Sequence, residues 1–588
     1  MKIIFTNYFS NRINAPFALY EFDEYLAKKP LYIDIRGIVR KRRLLWLDDL
    51  HKSFSKVSSA FLRYTRWWWV TPMSRFDARP WGQEPLIKPL FFAKAILEWR
   101  KENPDFKTMY LIGCNPLVAV YLKEFDKSVI FKGDRKIFRL FFLTKHIIKQ
   151  SVIAIAKMTL TAYYVFRYHL FAKGKMIIDR SIIILYEFAM VDKPKMRPNY
   201  YFTNIFNHIQ RDIADKIYFV CISFLRPATN TFRKKMHEDK EFLFLLDNIN
   251  LIDLIRGVLI NVNIIFKTHI LNFFKLSCNI GEGSSNIFFK FYMFNEVGRL
   301  SCLSSILCYS SLKRLFYQNN YKLAVYPYEE KGVERAILFA CNEYSVRTIG
   351  YTPHPQHNLA LALRDVYKPV SPKPSSYAFC GPAYIEYFTL WGKKKPDKMK
   401  VWGSGKSIKG SLIKQEFNRH ELKIIVLLSH PNELRVFGSW LRADNRLREN
   451  TYYLIRIYKP AYKAFENDLK KLIREFNFVE ESQGSLIEDM KKCNLAIFSG
   501  TSAGIEAINN GYLALYTDLN DFFEINPCFD DLNVMLPSYS SKEFADRLDE
   551  ICLMGNNSLI ELHKKQLSLS KNIFSSIDIN AVERDMQC

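Results

Sequence analysis

Three short stretches in the C-terminal third of the chain put chemistry-bearing residues directly after apolar runs. Ser499-Gly500-Thr501-Ser502 follows "NLAIF", His430-Pro431 follows "KIIVLLS", and Arg456 and Lys459 stand in "YYLIRIYKP". At a helix start the unpaired N–H groups and the dipole favour an anion, and small residues let a phosphate approach closely. Ser499, Thr501 and Ser502 add hydroxyl donors. Ser502 and Glu506 are four residues apart and share a helical face. A phosphate at Ser502 would set Glu506 to accept hydrogen bonds from ribose hydroxyls. Ser and Thr are equally ordinary N-caps, and Arg456 and Lys459 equally serve as a solvated strand end. "GSGKS" at 403–407 lacks the spacing of a Walker loop. Its Ser404 and Lys406 remain candidates as polar and cationic partners of a phosphate.

These residues need elements to position them. "KIIVLLSHP" and "YYLIRIYKP" read as strands that run into loops, with helices through "ELRVFGSWLRAD" and "AYKAFENDLKKLIREF". "FNFVEES" reads as a third strand, "NLAIFSG" and "YLALYTD" as further ones, and Gly511 closes the helix "TSAGIEAINNG". Strands alternating with helices indicate a parallel, doubly wound sheet, in which ligands sit beyond the carboxyl ends of the strands. The earlier half opens with "KIIFT" and "LYIDI", then a tryptophan-rich stretch, a helix through "LFFAKAILEWRKENP" and a strand "TMYLIG". A buried strand "SIIILYEFAM" precedes a helix-rich region to about 318, and "KLAVYPYEEKGVERAILFACNEYSVRTIGYTPHPQHN" resumes the strand–helix–strand pattern.

With 588 residues the chain needs more than one core. A formal charge of +26 attracts nucleic acid, anionic lipid or small anions, but zinc-ligand spacings, basic heptads and RNA-binding sheet motifs are missing, so nucleic acid is not expected as a partner. The 11 scattered cysteines, without a C-x-x-C pair, suggest reduced, mostly buried thiols. The apolar window 151–171 holds Lys157 and Arg167, which disfavours a span. From Lys123 to Arg180, 13 Lys/Arg stand against 4 Asp/Glu among aromatics, a pattern suited either to an anionic membrane surface or to a helical subdomain with solvated lysines. The N-terminus lacks a long apolar segment with a cleavage site, so no signal peptide is expected.

"YPYEEKGVERAI" (326–337), "TIGYTPHPQH" (348–357) and "KVWGSGKS" (400–407) resemble segments of bacterial surface-carbohydrate biosynthesis proteins with the GT-B glycosyltransferase fold. "HP" at 430–431 and "SGTSAG" at 499–504 are similar to the HP and Ser/Ser-Thr motifs of bacterial sialyltransferases and Kdo transferases. The resemblance spans about 60–530, and each motif is loose. It departs at Val333, at the shifted His354 and at Lys459, where relatives often carry Trp, an earlier histidine and a histidine. It implies two facing Rossmann-like α/β domains. Residues 1–390 would form the acceptor side, with a helical basic insertion at about 123–180. Residues 391–588 would bind the nucleotide-sugar. By the same resemblance His430, Ser499, Thr501 and Ser502 hold a CMP-linked donor.

Sugar transfer needs a base for the acceptor hydroxyl and stabilisation of the departing phosphate. Glu329, or its neighbour Glu330, stands at the end of "KLAVYPY" and suits the base; Glu334 fits the first turn of the next helix. His354 could orient acceptor or donor, while His430, Pro431, Arg456, Lys459, Gly500, Ser404 and Lys406 complete the donor side. Without an evident Asp-x-Asp motif, a metal-independent reaction with no cofactor beyond the nucleotide-sugar substrate is expected. The acceptor would be a surface glycan or its lipid-linked precursor, handled in the cytoplasm at the inner face of the membrane. A CDP-alditol phosphotransferase and a non-catalytic envelope scaffold are the alternatives.

Overall fold

The computed structural model describes residues 2–6, 19–21, 80–105, 108–112, 116–132, 180–186, 205–222, 242–274, 300–329, 332–353, 372–390, 396–406, 422–457, 462–519 and 532–587, with isolated positions at 38–50, 159 and 202. Three sheets organise them. The first joins β1 (Lys2–Thr6), β2 (Leu19–Glu21), β3 (Thr108–Ile112) and β4 (Val129–Lys132) in the order β2-β1-β3-β4, parallel except for the β1–β2 pair.

The second sheet is parallel throughout. Its strands are β5 (Ile182–Tyr186), β6 (Ile217–Cys221), β7 (Phe242–Phe244), β8 (Leu323–Pro327), β9 (Arg347–Thr352), β10 (Ser376–Phe379) and β11 (Met399–Val401). They lie in the order β11-β10-β9-β8-β5-β6-β7. Every residue of β5, β6 and β8 is buried. Strands covered on both faces read as continuous apolar runs, which is why "SIIILY" and "KLAVYP" are legible as strands.

The third sheet holds β12 (Leu422–Leu428), β13 (Thr451–Ile457), β14 (Val479–Glu481), β15 (Leu495–Phe498) and β16 (Leu513–Tyr516), ordered β14-β13-β12-β15-β16 and again all parallel. The second and third sheets are therefore two Rossmann-like α/β units, the pair of layers that defines a GT-B-like plan.

The segment expected to be helix-rich up to 318 contains two strands, β6 and β7. "KIYFVC" was hidden among helical neighbours because five buried apolar residues do not distinguish a strand from a turn and a half of buried helix. The division at 390/391 runs between β10 and β11, so one strand of the second sheet lies beyond it. The chain also returns after the third sheet. Asp585 at the C-terminal end accepts from Trp402 Nε1 at 2.9 Å and meets Lys400, while Glu583 accepts from the Gln210 amide at 2.7 Å. Of the basic stretch 123–180, only 123–132, 159 and 180 are described. No helix among the described residues is long and apolar enough to cross a membrane.

Candidate functional site

In a doubly wound sheet the crevice opens where the strand order reverses. In the third sheet that point lies between β12 and β15, whose carboxyl ends carry Ser429-His430 and Ser499-Gly500. In the second sheet it lies between β5 and β8, and Glu329 stands two residues past the end of β8. Both groups of candidate residues thus fall on the reversal points of their sheets.

The His430 loop is tied down by a residue that the sequence reading did not single out. Helix Pro431–Ala443 begins with His430 as N-cap, its Nδ1 accepting from the Asn432 amide at 3.3 Å. Pro431 occupies the first helical position, where its missing N–H costs nothing. Glu433 is fully buried and accepts from the amides of Ser429 at 2.6 Å, His430 at 3.0 Å and Gly500 at 3.4 Å. One carboxylate therefore bridges the two loops on either side of the reversal. Burial pushes the Glu433 carboxyl above its ordinary range, and the amide donors pull it back. The spacing His430-x-x-Glu433 is that of a capping box, the signal that could have found it.

The "SGTS" turn divides its roles. Ser499 is buried, and Thr501 Oγ1 accepts from the Ala503 amide at 3.3 Å, the ordinary capping duty. Ser502, the N-cap of helix Ala503–Asn509, makes no side-chain cap bond; its Oγ instead accepts from Lys406 Nζ at 3.3 Å. Lys406 also donates to Glu506 Oε1 at 2.7 Å and lies 5.7 Å from the Phe574 ring centre. A cation from the loop after β11 is thus held on the helix start of the third sheet, 96 residues further along the chain. That helix is seven residues long, so the lysine is the stronger source of positive potential there. The small residue Gly504 has a packing cause, since a Cβ at that position would stand 2.2 Å from the Phe498 ring.

Lys406 is aimed by its own loop. Trp402 is fully buried and stacks on Tyr351 at 5.9 Å, whose hydroxyl donates to the Gly403 carbonyl at 2.9 Å. Gly403 has φ +78°, and a Cβ there would meet Ser576 O at 2.1 Å. Ser404, also buried, accepts from the Lys406 amide at 3.2 Å, and its own amide donates to Ser575 O at 2.9 Å. "WGS" is therefore a clamp between the second sheet and the returning C-terminal segment.

Arg456 is placed differently from the expectation for a phosphate partner. Its Nη1 donates to Asp489 Oδ2 at 2.6 Å, to Gly484 O at 2.8 Å and to Ser482 Oγ at 3.1 Å. Asp489 is fully buried, so the guanidinium compensates an interior charge. At the other reversal point, the half-buried Glu329 donates its amide to the buried Glu334 Oε2 at 2.8 Å, and Glu334 occupies the first turn of helix Gly332–Glu343. Glu330, His354 and Lys459 lie outside the described residues.

No family model matches the chain, and no curated protein matches it in sequence. Among solved structures, the chain is similar to an α,α-trehalose-phosphate synthase (UDP-forming) from Burkholderia vietnamiensis, at 9% identity and TM-score 0.40, covering 70% of this chain and 99% of that one. The lipopolysaccharide outer core galactosyltransferase WaaB matches at 8% identity and TM-score 0.39, over 68% and 98% of the two chains. The Candida albicans trehalose-6-phosphate phosphatase N-terminal domain matches at 9% identity and TM-score 0.39, over 71% and 98%.

Proposed function

We propose that this protein is a glycosyltransferase that binds a nucleotide-activated sugar at the rim of its third sheet. The observation that carries the reading is the strand-order reversal between β12 and β15, where Glu433 ties the His430 and Gly500 loops together and Lys406 reaches in from the second sheet. In this reading Lys406 and the hydroxyls of Thr501 and Ser502 offset the charge on the departing phosphate. His430 holds the nucleotide beside them, and Glu506 exchanges its lysine partner for the ribose hydroxyls. Glu329, at the reversal point of the second sheet, serves as the base toward the acceptor. The donor is read as CMP-linked from the resemblance of "HP" and "SGTS", and the acceptor as a surface glycan or its lipid-linked precursor. No metal or cofactor is called on.

A panel of radiolabelled donors tests this. Transfer from a CMP-sugar, abolished by Glu329→Ala with nucleotide binding retained, is the expected result. Transfer of alditol phosphate from CDP-glycerol would replace this reading with the phosphotransferase. No nucleotide-dependent shift in thermal stability with CMP, CDP, UDP or GDP compounds would leave a scaffold.

A further inference from the structure

We infer that helix Leu251–Phe274 is a membrane-docking face that lies flat on an anionic bilayer. The helix packs one side on helix Leu300–Gln318, where Gly257 admits Leu303, Ile306 and Leu307 so closely that a Cβ would stand 3.1 Å from Leu307. Leu254, Asn261 and Ile264 share that buried side. The opposite side carries Leu251, Ile252, Ile255, Leu259 and Val262, exposed by 48% to 72%. At roughly 100° per residue these five fall within about one quarter to one third of the helix circumference, a single continuous stripe.

The charges sort around the stripe. Asp253, the acid of the first turn, is turned away and pairs with Arg314 of the neighbouring helix at 2.5 Å. Arg256 is exposed beside the apolar stripe, and Lys267 is exposed on the same flank three turns further on. An apolar stripe bordered on one flank by cations, on a chain with net charge +26, complements anionic headgroups over acyl chains. Two copies meeting through this face would bring the same cations together, so a bilayer is the occupant that the charge favours. No helix among the described residues is long and apolar enough to cross the bilayer. This inference is independent of what the third sheet binds, because its readout involves no nucleotide.

Co-sedimentation of the full chain with phosphatidylcholine vesicles, with and without phosphatidylserine, tests it. Binding is expected with phosphatidylserine and weakens as salt is added. Ile252→Glu with Leu259→Glu should reduce it by roughly tenfold or more, and Arg256→Glu by a smaller factor. Leu553→Glu, at an 81% exposed site on another helix, should leave binding unchanged. Thermal melting of each variant, expected to match the wild type at these exposed positions, separates lost docking from lost fold. Wild-type retention of vesicles by the double variant, equal binding to both lipid mixtures, or a double variant that instead splits a dimer in light scattering would each overturn the inference.

Discussion

Arg456 and Lys406 look alike in the sequence, each a cation just after or near the end of a strand, yet the fold uses them in opposite ways. Arg456 spends its donors on Asp489, Gly484 and Ser482, and its carboxylate partner is fully buried. Lys406 pairs with Glu506 where both side chains keep about a quarter of their surface, 23% and 25%. A buried carboxylate holds its cation permanently, because separating them strands a charge in the interior. A pair whose two members both keep contact with water is cheaper to open, and they can exchange partners for an incoming anion. The lesson is that the burial of the partner, more than the presence of the cation, separates a strut from a binding group.

The comparison breaks most visibly at Arg456. Arg456→Met should destabilise the third sheet's unit by about 3–5 kcal/mol, read by urea unfolding, because the buried Asp489 loses the guanidinium that compensates its charge. Adding Asp489→Leu should restore much of that loss, and a double variant no better than the single one would contradict the strut role. Glu433→Ala comes next. It leaves the amides of Ser429, His430 and Gly500 without their acceptor, a loss of about 2–4 kcal/mol together with weakened nucleotide affinity. Glu433→Gln keeps one accepting oxygen and should fall between.

Lys406→Ala should behave in reverse: less than about 1 kcal/mol in stability, but roughly tenfold weaker nucleotide binding by calorimetry. A stability loss as large as that of Arg456→Met would erase the distinction between the two cations. The smallest effect concerns His563, fully buried on helix Asn556–Ile573 with Nε2 3.3 Å from Ile508 O. Burial holds its pKa below the ordinary histidine value. The unfolded chain therefore binds the proton more readily than the folded one. Stability is full above the unfolded pKa of about 6.5 and declines as pH falls below it, by at most about 1.4 kcal/mol per pH unit. His563→Leu should flatten that part of the pH profile of unfolding.

How much of this was legible beforehand depended on whether the signal was local. The strands and helices of the third sheet can be read almost in full, since the apolar runs of β12 and β15 are buried almost throughout and Gly511, at φ +90°, ends its helix as expected. The placement of "SHP" and "SGTS" on one sheet edge followed from the same alternation. The separate four-stranded sheet could not be read, because "KIIFT" and "TMYLI" look like any other parallel strands and pairing over 100 residues leaves no local mark. The sequence offers Lys406 as a phosphate partner, but its grip on Glu506, 100 residues away, leaves no local mark either. Asp489 gives no warning at all, being one of two adjacent acids on a five-residue helix, and without it Arg456 can only be read as available.

The central claim is that the reversal point of the third sheet grips an anionic nucleotide carrier through groups supplied by both Rossmann-like units. Calorimetric titration of CMP, CDP, UDP and GDP compounds into the wild type and into the Thr501→Ala, Ser502→Ala double variant tests it directly. Saturable binding of at least one nucleotide, weakened roughly tenfold or more in the double variant, is the predicted result. Equal affinity in the two proteins, or no binding by the wild type, would contradict it.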